Sequence, residues 1–316
     1  MRKGTRKKRL YNKYMDIWQV GNASGHTAPI RALIERRLKA HGIPYTTDTI
    51  GNLYAGDFTK PAPCLVAHMD SVHKEPPRGI TCNKKGILRA RTGIGGDDKC
   101  GIVALLELLP ARPDVNAIFT VDEETGAQGA GAIPPELLER TQYFIEIDRR
   151  GNSDLIIDIC GLIASDEFIT AIDKTRERYG FEYEYGMFTD IDVILDEVHT
   201  SAINLSAGYY EPHTAGEYVK LPELENTIDL AGAILDTVER KKYPIEPRSY
   251  SYANTWRGQG RDRALDFPPT DYAEELELLQ QEALYKYSAE VVELITEAYY
   301  LGQESAQVRA LDYIEE

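Results

Sequence analysis

The chain has 316 residues, 42% hydrophobic and 28% charged, with a net charge of −15, a globular composition long enough for one large domain or two ordinary ones. Its acidic balance argues against nucleic acid as a partner, because phosphate binding rests on a basic surface. It has no apolar run long enough to cross a bilayer, and no apolar segment follows Arg2, Lys3, Arg6, Lys7, Lys8 and Arg9 as a secretory leader would require, so neither a membrane nor export is expected and the cytoplasm is the expected location. Cys64, Cys82, Cys100 and Cys160 are scattered without C-x-x-C spacing and read as buried free thiols.

Residues 1–19 read as a basic lead-in, a solvated arm. From Thr27 to Ala40, the apolar residues Ile30, Leu33, Ile34 and Leu38 recur at the period of one helix face, with Ser24 or Thr27 as cap and His41-Gly42 as stop. His26 reads as a turn residue. Ile43 to Ala55 is extended, and Cys64-Leu65-Val66-Ala67 suits a strand buried on both faces. That strand ends in His68-Met69-Asp70. A second run, Ala117 to Val121, ends in Asp122-Glu123-Glu124, and a third, Tyr143 to Ile147, ends in Asp148. Alternating with helical segments at Ile102 to Leu109 and Pro135 to Arg140, these runs predict an α/β fold, a three-layer sandwich with a mainly parallel mixed sheet between helices. Sites in such sheets form beyond the C-terminal strand ends, so His68, Glu123, Glu124 and Asp148 should meet at one edge.

Further on, Leu155 to Ile159 reads as a strand, Glu167 to Tyr179 as a helix and Ala202 to Ala207 as a strand. His213 follows within Gly208-Tyr209-Tyr210-Glu211-Pro212-His213-Thr214. Leu224 to Arg240 closes the unit as a helix, giving a domain over residues 20–243. Residues 244–270, punctuated by Pro and Gly, read as a linker or surface loop. Residues 271–316 hold twelve acidic side chains against Lys286 and Arg309, with an apolar stripe from Leu276 to Leu301 at helical spacing. This acidic helical extension packs on the domain's own surface or, as a second reading, supports self-association.

Gly93-Ile94-Gly95-Gly96-Asp97-Asp98-Lys99 places two carboxylates at a sharp bend ahead of a helix. Acids there also cap free N–H groups, so the stretch by itself has two readings. Its company separates them. Two cations held close together need a bridging carboxylate and further His, Asp and Glu ligands, and this chain supplies such residues at its strand ends. Asp97 is then the bridge.

The ordered set His68-x-Asp70, Gly-Gly-Asp97-Asp98-Lys99, Asp122-Glu123-Glu124-x-Gly126, Asp148 and His213-Thr214 resembles the co-catalytic zinc exopeptidases. That clan includes peptidase T, the carboxypeptidase G type enzymes, aminoacylases and single-domain leucyl aminopeptidases, and the likeness spans residues 20–240. It implies that Asp97 bridges, that His68 and Asp148 complete one metal site, and that Glu124 and His213 complete the other. Asp70 would orient the His68 imidazole. Glu123 would be the general base for a metal-activated water. A separate argument supports Glu123: neighbouring residues at a strand end point in different directions, so one carboxylate binds metal while the other faces the water. The implied cofactors are two divalent ions, zinc first, with cobalt or manganese also suited to this ligand mixture.

Relatives resembling peptidase T carry a lid between the positions matching Asp148 and His213, but the 64 residues between them here read as sheet and helix. A lidless catalytic domain with an open acidic site suits a free α-amino group. The expectation is therefore an aminopeptidase acting on short peptides. Glu123, Glu211 or Asp190 would take the amine, with Tyr209 beside the substrate, although Asp190 also reads as a helix cap. Arg149 and Arg150 should turn away or neutralise nearby acids. A deacylase of N-acyl amino acids or a carboxypeptidase would use the same constellation. A mononuclear enzyme and a non-catalytic scaffold working through the acidic C-terminal helix are the remaining alternatives.

Overall fold

The continuous apolar runs become the middle of an eight-stranded sheet. A computed structural model describes residues 8–159 and 161–247. Its strands are β1 (Tyr45–Thr47), β2 (Leu53–Ala55), β3 (Ala62–His68), β4 (Thr81–Cys82), β5 (Ile87–Arg89), β6 (Asn116–Thr120), β7 (Thr141–Arg149), β8 (Asp154–Asp158), β9 (Glu182–Tyr185), β10 (Ala202–Ser206), β11 (Tyr209–Tyr210) and β12 (Tyr218–Lys220). The large sheet runs β1-β2-β6-β3-β7-β10-β8-β9. Its centre, β6-β3-β7-β10, is parallel throughout, while β2 and β8 flank it antiparallel. Pro63 can lie in a central strand because the β3–β7 register shifts between Ala62 and Cys64, where the ladder is already interrupted.

Side chains alternate across this sheet into two separate cores, as a period of two requires. Leu65, Ala67, Phe119, Ile145 and Ile203 enter one, and Cys64, Val66, Ile118, Phe144 and Ala202 the other. The first core is closed by α1 (Ala28–Ala40), α2 (Gly96–Leu108), α3 (Asp166–Tyr179) and α5 (Leu221–Thr237), the second by α4 (Asp190–Glu197) and two single turns at Gln128–Gly131 and Pro135–Leu138. Burial of each such Ile, Leu or Phe contributes roughly 1.5–3 kcal/mol. The α/β sandwich with a mainly parallel sheet is thus the observed fold. A second, four-stranded antiparallel sheet, β11-β12-β5-β4, was not foreseen because its strands have only two or three residues.

Element ends correct several expectations. Thr27 makes no side-chain capping bond at the start of α1, and the Ser24 hydroxyl is turned to Asp70 instead. Ser165 does cap α3, accepting from Phe168 N–H at 3.2 Å. The closing helix begins three residues early, with Pro222 in its first turn, and stops at Thr237.

The basic arm is the larger correction. Arg9–Lys13 and Met15–Gln19 are short helices, and Leu10, Tyr14, Ile17 and Trp18 are at most 1% exposed in the first core. Their helical spacing was masked by the surrounding lysines and arginines. Between Asp148 and His213 the chain builds β8, α3, β9, α4 and β10, so the described residues there extend the main sheet. Pro244 bridges to Thr200, so packing continues past residue 243. Most of the expected linker, the acidic extension with its proposed self-association, residues 1–7 and Cys160 lie outside the described residues. Cys64 and Cys100 are buried free thiols, and Cys82 is half-buried. No helix among the described residues is long and apolar enough to cross a membrane.

Candidate metal centre

Because β6, β3 and β7 are parallel neighbours, the segments leaving their C-terminal ends fall at one edge. His68, the last residue of β3, is 1% exposed. Its Nε2 lies 3.0 Å from Asp97 Oδ1 and 3.6 Å from Asp148 Oδ1, while Nδ1 faces Asp70 Oδ1 at 3.3 Å. His213 Nε2 lies 3.3 Å from the other Asp97 oxygen, Oδ2, and 3.0 Å from Glu124 Oε2. Asp97 therefore turns one oxygen to each histidine.

The start of α2 explains how. Asp97 (φ −79°, ψ 104°) and Asp98 (φ −116°, ψ 43°) are not helical, and the peptide between them is cis. The two readings of this acidic pair divide between its members. Asp98 Oδ1 accepts the Gly101 N–H at 2.8 Å, a capping bond, and Asp97 is left for the histidines. Gly96 is needed for close approach, since a Cβ there would meet Val219 Cγ2 at 2.7 Å and Tyr209 Cβ at 2.8 Å.

Asp70 is fully buried and does more than face His68. Its Oδ1 accepts Glu123 N–H at 3.0 Å, and its Oδ2 accepts Glu124 N–H at 3.3 Å and the Ser24 hydroxyl at 2.8 Å. One carboxylate thus holds the backbone of both glutamates while lying beside an imidazole. Asp148 is bracketed by Asn204 of β10, whose amide accepts Asp148 N–H at 2.9 Å and donates to its carbonyl at 3.1 Å. The Tyr209 hydroxyl donates to Asp148 Oδ1 at 3.1 Å.

Two expected substrate contacts sit differently. Tyr209, at 4% exposure, is a buried partner of Asp148. Asp190, the first residue of α4, is 1% exposed and accepts a hydrogen bond from Thr120, so it presents no surface to an amine. Glu123 is half-buried and Glu211 exposed, and both keep access to solvent. Glu211 (φ 53°) and His213 (φ 64°) adopt left-handed backbone angles. Such angles are uncommon outside glycine, and here they mark the loop that delivers His213. Arg149 pairs with Asp154 at 3.3 Å, away from the cluster, and Arg150 is exposed.

The model of peptidase family M20/M25/M40 matches residues 64–307. This chain belongs to that family. Among solved structures it is similar to the aminopeptidase PepT from Bacillus cereus ATCC 10987 (16% identity, TM-score 0.65, covering 73% of this chain and 98% of that one). It is also similar to a Staphylococcus aureus tripeptidase (14% identity, TM-score 0.61, 73% and 99%) and to the Pyrococcus horikoshii TET1 peptidase (19% identity, TM-score 0.54, 73% and 99%). At these identities the likeness establishes the fold. The Bacillus subtilis (strain 168) protein YqjE, itself uncharacterized, is 26% identical over 171 residues, 48% of this chain and 45% of that protein. The chain therefore spans about half the length of that curated relative.

In this M20-family site the donor set suits divalent cations. His68, Asp97 and Glu124 bring ligand atoms within 4.8 Å of one another, and so do His68, Asp98 and Asp148. The resemblance gives Asp98 no ligand role, so its place in the second group comes from the structure. Glu124 Oε1 and Asp98 Oδ2 are buried with no hydrogen-bond partner. Among the described residues no lysine or arginine pairs with Asp97, Asp98, Glu123, Glu124 or Asp148. Burial pushes the Asp98 carboxyl well above its usual value, with Asp148 adding to the effect. Burial likewise takes Asp148 up to about 7. Glu123 is raised by burial and, against the pull of His68, by Asp148, Asp190 and Glu124. Asp97 stays low despite burial because His213 and His68 hydrogen-bond to it, and it draws His213, together with Glu124, up to about 11. So many acids cannot all ionise side by side without positive charge, and oxygen and imidazole donors in this mixture are what zinc-type cations take.

Sequence reasoning missed several supporting residues. Asn204 holds Asp148, Glu146 accepts the Ile191 N–H at the start of α4, and the buried Glu217 and half-buried His73 pair at 2.8 Å. None has a local pattern that separates it from an ordinary polar residue.

Proposed function

We propose that this chain is a dinuclear-metal aminopeptidase that removes N-terminal residues from short peptides. The observation that carries the reading is Asp97, whose two oxygens face two different histidines, each matched to a further acid. His68, Asp97 and Asp148 would hold one cation, and Asp97, Glu124 and His213 the other, with zinc first and cobalt or manganese as substitutes. Cations bound there supply Lewis acidity, polarising the scissile carbonyl and lowering the pKa of water.

The chain's own groups do the rest. Asp70 would orient the His68 ring it faces at 3.3 Å and, by holding the Glu123 and Glu124 N–H groups, would let one of these neighbouring carboxylates reach the cluster and leave the other for proton transfer. Glu123 takes a proton from water as the water oxygen bonds to the carbonyl carbon. When the C–N bond breaks, Glu123 delivers that proton to the leaving amine nitrogen. Two observations favour a free N-terminus: Glu123 and Glu211 keep solvent access, and the described residues between Asp148 and His213 build strands of the main sheet and the helices beside them.

The test is the protein supplied with zinc, cobalt or manganese, assayed on aminoacyl p-nitroanilides and di- and tripeptides against their N-acylated counterparts. Cleavage confined to free-amine substrates is expected. Hydrolysis of N-acyl amino acids alone would make the chain a deacylase, and no hydrolysis with any cation would leave a non-catalytic protein.

A further inference from the structure

Glu217 is a fully buried carboxylate that plays no part in the ligand set. Three donors converge on it. Gly95 N–H reaches Oε2 at 2.7 Å, His73 Nε2 lies 2.8 Å from the same oxygen, and Asp97 N–H reaches Oε1 at 3.0 Å. Each donor comes from a segment that also supplies the candidate metal centre. His73 follows His68 and Asp70 after β3, Gly95 and Asp97 belong to the glycine turn, and Glu217 itself lies four residues beyond His213 in the loop before β12. The fit is tight. Gly93 (φ 81°) packs under the His73 ring, where an added Cβ would lie 2.2 Å from His73 Cε1.

We propose that Glu217, seated by His73, is a positioning residue that sets where Asp97 stands between the two histidines; this rests on the metal-centre reading above. The bond to the Asp97 N–H acts on the backbone of the residue whose oxygens face both His68 and His213. Because Glu217 shares a loop with His213, the same carboxylate fixes one imidazole's loop relative to the shared aspartate. A buried carboxylate accepting two backbone N–H groups and an imidazole N–H is charge-assisted, and it is costly to replace with a group that leaves those donors unmet. Glu217→Gln has nearly the same shape but sets an NH2 against at least one of the three donors. His73→Ala leaves the two backbone bonds in place, and His73→Gln restores a side-chain N–H.

The experiment strips metal from the full chain, measures zinc affinity by competition with a chromogenic chelator, and follows thermal unfolding of the metal-free protein alongside. The expected result for Glu217→Gln is a loss of about 10- to 100-fold in zinc affinity, the range typical of groups that orient metal ligands. His73→Ala should weaken zinc in the same direction by a smaller factor, and His73→Gln should recover it. A loop fastener with no role at the centre would lower the unfolding temperature and leave zinc affinity alone, so unchanged affinity in Glu217→Gln and His73→Ala overturns the proposal. If Glu217→Gln does not fold, the two His73 variants decide by the same criterion. Should the unmodified chain bind no zinc, cobalt or manganese, the metal-centre reading falls and takes this inference with it.

Discussion

Helix α2 carries acids at both ends, and their surroundings could hardly differ more. Near its C-terminal end Glu107 accepts hydrogen bonds from Lys13 at 2.5 Å, from Tyr14 at 2.7 Å and from Arg9. At its N-terminal end Asp97 and Asp98 meet histidines, backbone N–H groups and other carboxylates. Burial opposes ionisation at Glu107, but its hydrogen bonds from Lys13, Tyr14 and Arg9 outweigh that and hold its carboxyl below the usual range. Burial pushes Asp98 the other way, with Asp148 adding to it. A carboxylate matched by lysine and arginine is fastening the fold. A crowd of them matched by imidazole is a candidate cation site.

The comparison breaks first at Asp97. Asp97→Ala should lose cation stoichiometry and reduce hydrolysis to background, measured by metal analysis and a p-nitroanilide assay on the same sample. Full metal content in that variant would remove the shared ligand from the account. Next comes Glu123→Gln, expected to keep its cations while kcat falls about 10²–10⁴-fold, the usual scale for a lost general base. Wild-type turnover would end the assignment of Glu123.

The Glu107 end is tested through stability. Trp18, fully buried in the N-terminal helices, should cost about 3–5 kcal/mol on replacement by alanine, read by thermal or denaturant unfolding. Little change would return residues 9–19 to the solvated arm expected from their charge. Smallest of all, Glu107→Gln should cost about 1 kcal/mol or less, because Arg9 and Lys13 are 37% and 43% exposed and solvent screens them. The pH dependence has a definite sign. A carboxyl lowered on folding adds stability that is complete above its unfolded pKa, about 4.3, and fades as pH falls through the folded value. The gap between Glu107→Gln and the unmodified protein should therefore shrink on acidification, and a gap that widens would contradict the ion-pair account.

The strand ends were readable because their signal is local. A run such as Cys64 to Ala67 followed by His68 announces both a buried strand and the chemistry at its end, and Ala117 to Glu124 does the same. Trp18 and Tyr14 have a local signal as well, but their helical spacing lies among lysines and arginines that by themselves spell a solvated arm. Asp98 could not be separated from Asp97 along the chain, since only backbone angles show which acid caps α2 and which faces the histidines.

By itself the sequence determined the α/β sandwich and the residue types gathered at the ends of its central strands, since continuous apolar runs and the polar residues that close them are written in consecutive positions. Tertiary structure alone decided that Asp70 holds the glutamates, that Tyr209 and Asp190 are buried, and that Glu217 reaches Gly95 and Asp97 from more than a hundred residues away. Those are contacts between distant segments, and a hydrogen bond across such a separation leaves no periodicity in the chain that makes it.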